Sequence, residues 1–121
     1  MTVKVVVVVR RAEGLSRDEF IQRWIDEHPA FVRRLPGVRG YRQSLAIQHR
    51  RAWPFDGMAE IEFDSVGSVA RAFDSDEAKA LFAHENHFIG SLDWFISHEA
   101  IVVPLEEAEG DPAWRSSASP I

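Results

Sequence analysis

The stretch "VKVVVVV", residues 3–9, constrains the fold more than any other part of this chain. It is β-branched and too short for a helix, so it reads as a strand. Successive side chains of a strand point to opposite faces, so Val5, Val7 and Val9 share one face while Val6 and Val8 share the other. Both faces are apolar, and both need cover. A chain of 121 residues is one domain that buries roughly 65% of its unfolded surface. Its helices can cover one sheet face, and no third layer is encoded. A second copy of the sheet, packed face to face as a homodimer, is the economical cover for the other.

The remaining punctuation is regular. "GLSRDEF" carries a capping box, Ser16 with Glu19, and a hydrophobic staple, Leu15 with Phe20. A first helix is expected from there to about Leu35, stopped by Pro36–Gly37. Residues 38–49 read as a strand, 50–56 as a loop or lid, and 57–63 as an alternating strand. "DSVGSVARAF" and "DSDEAKALFAHENHFIG" read as two helical pieces, capped by Asp64 and by Asp74 or Ser75. Residues 94–103 are expected to form the last strand. Beyond Pro104 the chain becomes acidic and small, so the domain is placed at 1–104 and a flexible tail at 105–121, with Trp114 its one plausible anchor.

Two β-α-β halves in about a hundred residues imply a ferredoxin-like α+β sandwich, with a four-stranded antiparallel sheet and two helices on one face. Paired through the free sheet faces, two such sandwiches close a dimeric α+β barrel.

Each helix carries one polar letter in its apolar stripe. Phe20, Ile21, Trp24, Phe31, Val32 and Leu35 recur at helical spacing, and the slot midway is His28, followed at once by Pro29. On the second helix Ala78, Leu81, Phe82, Phe88 and Ile89 mark the stripe, and the slot between Phe82 and Phe88 is Glu85. A buried polar group without a partner costs roughly 1–3 kcal/mol. A shared cavity, or a mutual contact across it, removes that difficulty. Each residue alone also has a plainer reading: His28 bonded to a carbonyl freed by Pro29, and Glu85 at a frayed helix end reaching water. Together, an imidazole beside a carboxylate in a dry pocket is equipment for moving a proton near neutral pH.

Other chemistries find little support. There are no cysteines, hence no disulfide, thiolate metal site or cysteine nucleophile. The net charge of −5 and scattered arginine pairs disfavour nucleic acid. No apolar run approaches the roughly 20 residues of a membrane span, and residues 3–9 lack the features of a signal peptide, so a cytoplasmic protein is expected. Glycine-rich phosphate loops and a serine elbow are absent from the sequence. His84 and His87 lie three apart and could converge on a metal, but no HExxH-like spacing supports one. No metal and no cofactor are expected.

The block from residue 1 to Tyr41 ("GLSRDEF", "WIDEH", "LPGVRGY") resembles the opening of EthD-domain proteins, and "FDGMAEIEFDS" through "NHFI" is similar to that family's second half. The likeness covers about residues 3–103, and departs where Pro29 follows the histidine directly instead of two residues on. It implies a dimeric α+β barrel with a pocket between sheet and helices in each protomer. It also implies cofactor-free isomerase, dehydratase or decarboxylase chemistry, or an accessory role beside monooxygenases. The expected function is therefore a cofactor-independent isomerase or lyase acting on a small cyclic or aromatic-derived carbonyl or lactone. His28 is the acid/base, Glu85 orients it or relays the proton, and Tyr41 is a donor to an enolate oxygen. Trp24, Phe31, Phe82 and Trp94 are expected as apolar walls, with His87 and His98 as further contacts. Two alternatives stay open: a non-catalytic small-molecule binding protein, and an oxygen-using or haem-binding barrel ligated by His28 or His87.

Overall fold

Strand β1 (Val3–Arg11), with valine at six of its positions, lies inside the sheet with both its edges paired. The computed structural model describes residues 2–105. The tail from residue 106, including Trp114, lies outside the described residues. Strands β2 (Gly40–Leu45), β3 (Gly57–Phe63) and β4 (Ile89–Ser97) complete a four-stranded sheet of order β2-β3-β1-β4, with every pairing antiparallel. Val5 pairs with Ile61 and Ile96, and Val7 with Ala59 and Trp94. This is the ferredoxin-like α+β order expected from the sequence.

The last strand begins and ends earlier than its alternation implies. Residues 89–92 pair with β1 through a bulge between Arg10 and Arg11, and regular pairing stops at Ser97 instead of continuing to Val103. Gly90 belongs to this bulge: a Cβ there would meet the Arg11 carbonyl oxygen at 2.8 Å. The second strand is likewise shorter than residues 38–49. Residues 46–56 form a loop closed on itself by Ala46 N–H to the Asp56 carbonyl and Trp53 Nε1–H to the Ile47 carbonyl, and pinned to the sheet by Asp56 N–H to the Val9 carbonyl.

The first helix is three pieces rather than one. Helix α1 (Arg17–Ile21) starts with the expected Ser16–Glu19 capping box. A π-helical turn, Gln22–Glu27, follows, and α2 (His28–Arg33) begins with Pro29 in its first turn. Pro29 has no N–H to donate, and in a regular α-turn its ring would crowd the carbonyl four residues back. The wider turn before it, closed by His28 N–H to the Arg23 carbonyl, relieves both. On the second side, α3 (Val66–Phe73) and α4 (Asp76–Glu85) are capped by Ser65 and Ser75, whose hydroxyls accept from Ser68 and Ala78 N–H. Asp64 is not the cap; it pairs with Arg39.

The core lies between the helices and one sheet face, where Val3, Val5, Val9, Ile61 and Phe63 meet Phe20, Trp24, Val32, Val69 and Leu81. The other face is mixed. Lys4 is buried there between the carboxylates of Glu60 and Glu99, which hold its ammonium above the usual lysine range. Beside this triad an apolar strip runs through Val6 and Val8 of β1, Met58 of β3 and Phe95 of β4, the last 57% exposed. No helix among the described residues is long and apolar enough to cross a membrane.

Candidate functional site

A cavity of about 360 Å3 opens between the sheet and the helices. Its floor is Val5, Val7, Val9, Tyr41, Ala59 and Ile61, the helix-facing positions of three paired strands. Trp24 and His28 close it from the first helical segment, and Leu81, Phe82 and Glu85 from α4. Phe82, Leu92 and Trp94 line it while remaining solvent-exposed, so they form its rim. The Trp24 ring packs onto Gly57, where an added Cβ would lie 2.4 Å from it. Only the absence of a side chain at residue 57 lets the indole reach its place.

Among the lining residues only His28, Glu85 and Tyr41 are ionisable, and none is a lysine or arginine. His28 Nε2 lies 3.5 Å from Glu85 Oε2, a loose contact. The Tyr41 hydroxyl is the one buried side-chain polar atom among the described residues without a hydrogen-bond partner. Gln43, two residues along the same strand face, commits its amide nitrogen to the Trp24 carbonyl at 2.7 Å. Burial pushes the Tyr41 phenol well above its ordinary ionisation range; the nearby Gln43 side chain, too poorly placed for a hydrogen bond, pulls against that rise, and Glu85 adds to it. The phenol therefore stays protonated and is a donor, not a base.

Behind His28 lies a second imidazole that the reading of the stripe passed over. His28 Nδ1 is 2.9 Å from Nδ1 of His84, and His84 Nε2 is 3.2 Å from Oε1 of Glu27. The two rings are within 14° of parallel. Phe31 stacks on His84 at 4.4 Å, and Phe88 packs against both rings. Glu27 also meets Arg23 at 3.3 Å. The His84 contact first, then Arg23, hold its carboxyl below the usual carboxylate range. His84 was signalled by position, since it stands three after Leu81 and four before Phe88, both buried. Glu27 gave no such signal, because a π-turn sets its direction.

The expected contacts thus divide. His28, Glu85, Tyr41, Trp24, Phe82 and Trp94 surround one cavity. Phe31 is not a wall of it; it packs on His84 behind the site. His87 and His98 are exposed and lie outside the lining. The ring centroids of His84 and His87 are 6.4 Å apart, and both nitrogens of His84 already face His28 and Glu27, so the pair does not converge on a common ligand.

Residues 12–91 match the family model described as the EthD domain. No curated protein matches the chain. Among solved structures, an EthD family protein from Bacillus halodurans C-125 superposes with TM-score 0.71 at 24% identity, covering 83% of this chain and 100% of that one. A hydroxynitrile lyase from Passiflora edulis superposes with TM-score 0.67 at 18% identity, covering 85% and 97%. A dimeric ferredoxin-like protein of unknown function from Bacteroides fragilis NCTC 9343 gives 0.64 at 13%, covering 81% and 96%.

Proposed function

The chain belongs to the EthD family, and from that premise we propose that it is a cofactor-independent isomerase or lyase acting by proton transfer on a small, ring-bearing carbonyl or lactone. One observation carries the reading: an imidazole and an unpartnered phenol hydroxyl line the same apolar cavity. His28 Nε2 takes a proton from the carbon beside the carbonyl. The Tyr41 hydroxyl donates to the oxygen, where negative charge develops as the enolate forms. Satisfying that hydroxyl also removes a buried-group penalty of roughly 1–3 kcal/mol from the ligand-free protein. Return of the proton to another carbon is isomerisation; loss of a β-substituent is elimination. Glu85, 3.5 Å from His28 Nε2, is placed to stabilise the N–H that forms there when the ring takes up the proton.

The lining supports a neutral substrate. A carboxylate in this cavity would meet Glu85 and no lysine or arginine, and an uncompensated buried charge is heavily disfavoured. The volume sits at the low end of ligand pockets, roughly 300–1,000 Å3, and Trp24, Phe73, Phe82 and Trp94 offer flat apolar contact. The name of the Passiflora edulis protein puts lyase chemistry on a similar fold. The homodimer is part of the same proposal: the strip of Val6, Val8, Met58 and Phe95 needs cover, and the Bacteroides fragilis protein is described as dimeric.

The test is turnover on a panel of neutral fused-ring ketones and lactones, with a muconolactone as the carboxylate-bearing counterpart. Neutral members should react, and His28→Gln should lower turnover by about 10²–10⁴-fold with near-normal affinity. Full turnover by His28→Gln would end the acid/base reading. Tight binding with no reaction, unaffected by His28→Ala, would leave a small-molecule binding protein instead.

A further inference from the structure

The four groups Glu85, His28, His84 and Glu27 form a line from the cavity to the surface. Side-chain exposure is 18% at Glu85 on the cavity side, falls to 4% at His28 and 8% at His84, and rises to 35% at Glu27. The line outruns what acid/base chemistry in the cavity needs, because His28 and Glu85 would suffice for that. We infer that His84 and Glu27 are a proton exit, connecting the cavity face of His28 to solvent by a route that does not pass through the substrate. The inference rests on the reading of His28 as the acid/base group.

Proton counting supports it. A hydrogen bond between two ring nitrogens needs one of them protonated and the other bare. Two neutral imidazoles bring two protons to three links. If His28 carries its proton on Nδ1 and His84 on Nε2, the links to His84 and to Glu27 are filled and the link to Glu85 is empty. The distances follow that pattern, 2.9 and 3.2 Å against 3.5 Å. His28 Nε2 then presents a bare lone pair to the cavity, which is the state of a base.

Proton abstraction moves along the line without residue. The substrate C–H bond breaks as His28 Nε2–H forms. His28 Nδ1–H breaks as His84 Nδ1–H forms. His84 Nε2–H breaks as a Glu27 O–H forms, and Glu27 releases that proton to water. With the release to water, four bonds form and four break; the negative charge ends on the enolate oxygen beside Tyr41 and the proton on water. The reverse sequence delivers a proton. A carboxyl held below its usual range, as Glu27 is by His84 and Arg23, is quick to release its proton to water. The other charged or titratable groups around the pair are Arg23 on the π-turn, Arg34 over the Phe31 ring, His87 beyond α4, and Tyr41 and Glu85 on the cavity side. Phe31 and Phe88 seal the pair against sideways access by water.

The test is the tautomer of each ring, read from long-range proton–nitrogen spectra of the full chain labelled at histidine nitrogen, near pH 8 and without ligand. The wild type should show His28 protonated on Nδ1 and His84 on Nε2. Glu27→Lys places a donor where an acceptor stood, and should reverse both rings, including His28, which residue 27 does not touch. The opposite tautomers in the wild type, or an unmoved His28 in a folded Glu27→Lys protein, would overturn the exit. A second measurement separates it from the functional reading: deuterium uptake from heavy water at the α-carbon of 2-tetralone. Glu27→Gln, which keeps an acceptor but cannot take up the proton, should slow uptake about 10- to 100-fold, short of the roughly 10²–10⁴-fold expected for loss of the base. Uptake unchanged in Glu27→Gln sinks the exit alone. No uptake by the wild type sinks the acid/base reading for this ketone, while the tautomers still judge the line.

Discussion

Nδ1 of His28 and Nδ1 of His84 lie 2.9 Å apart in nearly parallel rings, although 56 residues separate them in the chain. Phe31 and Phe88 pack against the pair, so a ring nitrogen that loses this partner is left among apolar neighbours. His84→Phe should keep the packing and orphan the His28 nitrogen. We expect a loss of about 1–3 kcal/mol in denaturant unfolding. No loss of stability would mean that the pair contributes nothing to the fold.

Tyr41→Phe should behave in the opposite way. It removes a buried hydroxyl that has no partner in the ligand-free protein, so stability should hold or rise by up to about 1 kcal/mol. Turnover on the neutral panel should fall by about 10²–10³-fold if the phenol donates to the developing oxyanion. A variant both less stable and fully active would place the hydroxyl outside the chemistry.

Gly57→Ala tests the wall behind the site. Its Cβ would collide with the Trp24 indole, which is fully buried. The ring must move, at a cost of about 1–3 kcal/mol for overpacking. Tryptophan fluorescence and thermal unfolding should both shift, and unchanged values would show that the indole has room to give.

The apolar strip of half-buried Val6, Val8 and Met58 with exposed Phe95 should be an interface. Light scattering of the wild type at micromolar concentration should return a dimer. Phe95→Glu, at a position already 57% exposed, should return a folded monomer. A monomeric wild type would remove the barrel.

Acid should loosen the fold in a stated window. Glu27 and Glu99 are held below their ordinary range of about 4.5, by His84 and by Lys4 first among their neighbours. Their stabilisation is complete above the unfolded value and is lost as pH falls through the lower folded values. Urea midpoints should drop between about pH 5 and 3. Glu27→Gln should start lower at pH 7 and fall by less over the same range.

The sequence by itself determined the sheet, its helical cover and the two breaks in that cover. Valine at five successive positions can only be an interior strand, and the capping box at Ser16 needs nothing but its own turn. His28 and Glu85 stood out because an apolar stripe at helical spacing exposes any polar letter within it, and that local signal survived folding. Two things were decided only in three dimensions. The first is the π-turn ahead of Pro29, whose register depends on tertiary packing and which turns Glu27 toward His84. The second is the meeting of His28 with His84: α2 and α4 are distant in sequence, with β2, β3 and α3 between them, and only the completed fold packs their faces together. Periodicity reports which side of an element is buried. It carries no information about which residue of another element waits there, and hydrogen-bond geometry is settled by that second fact.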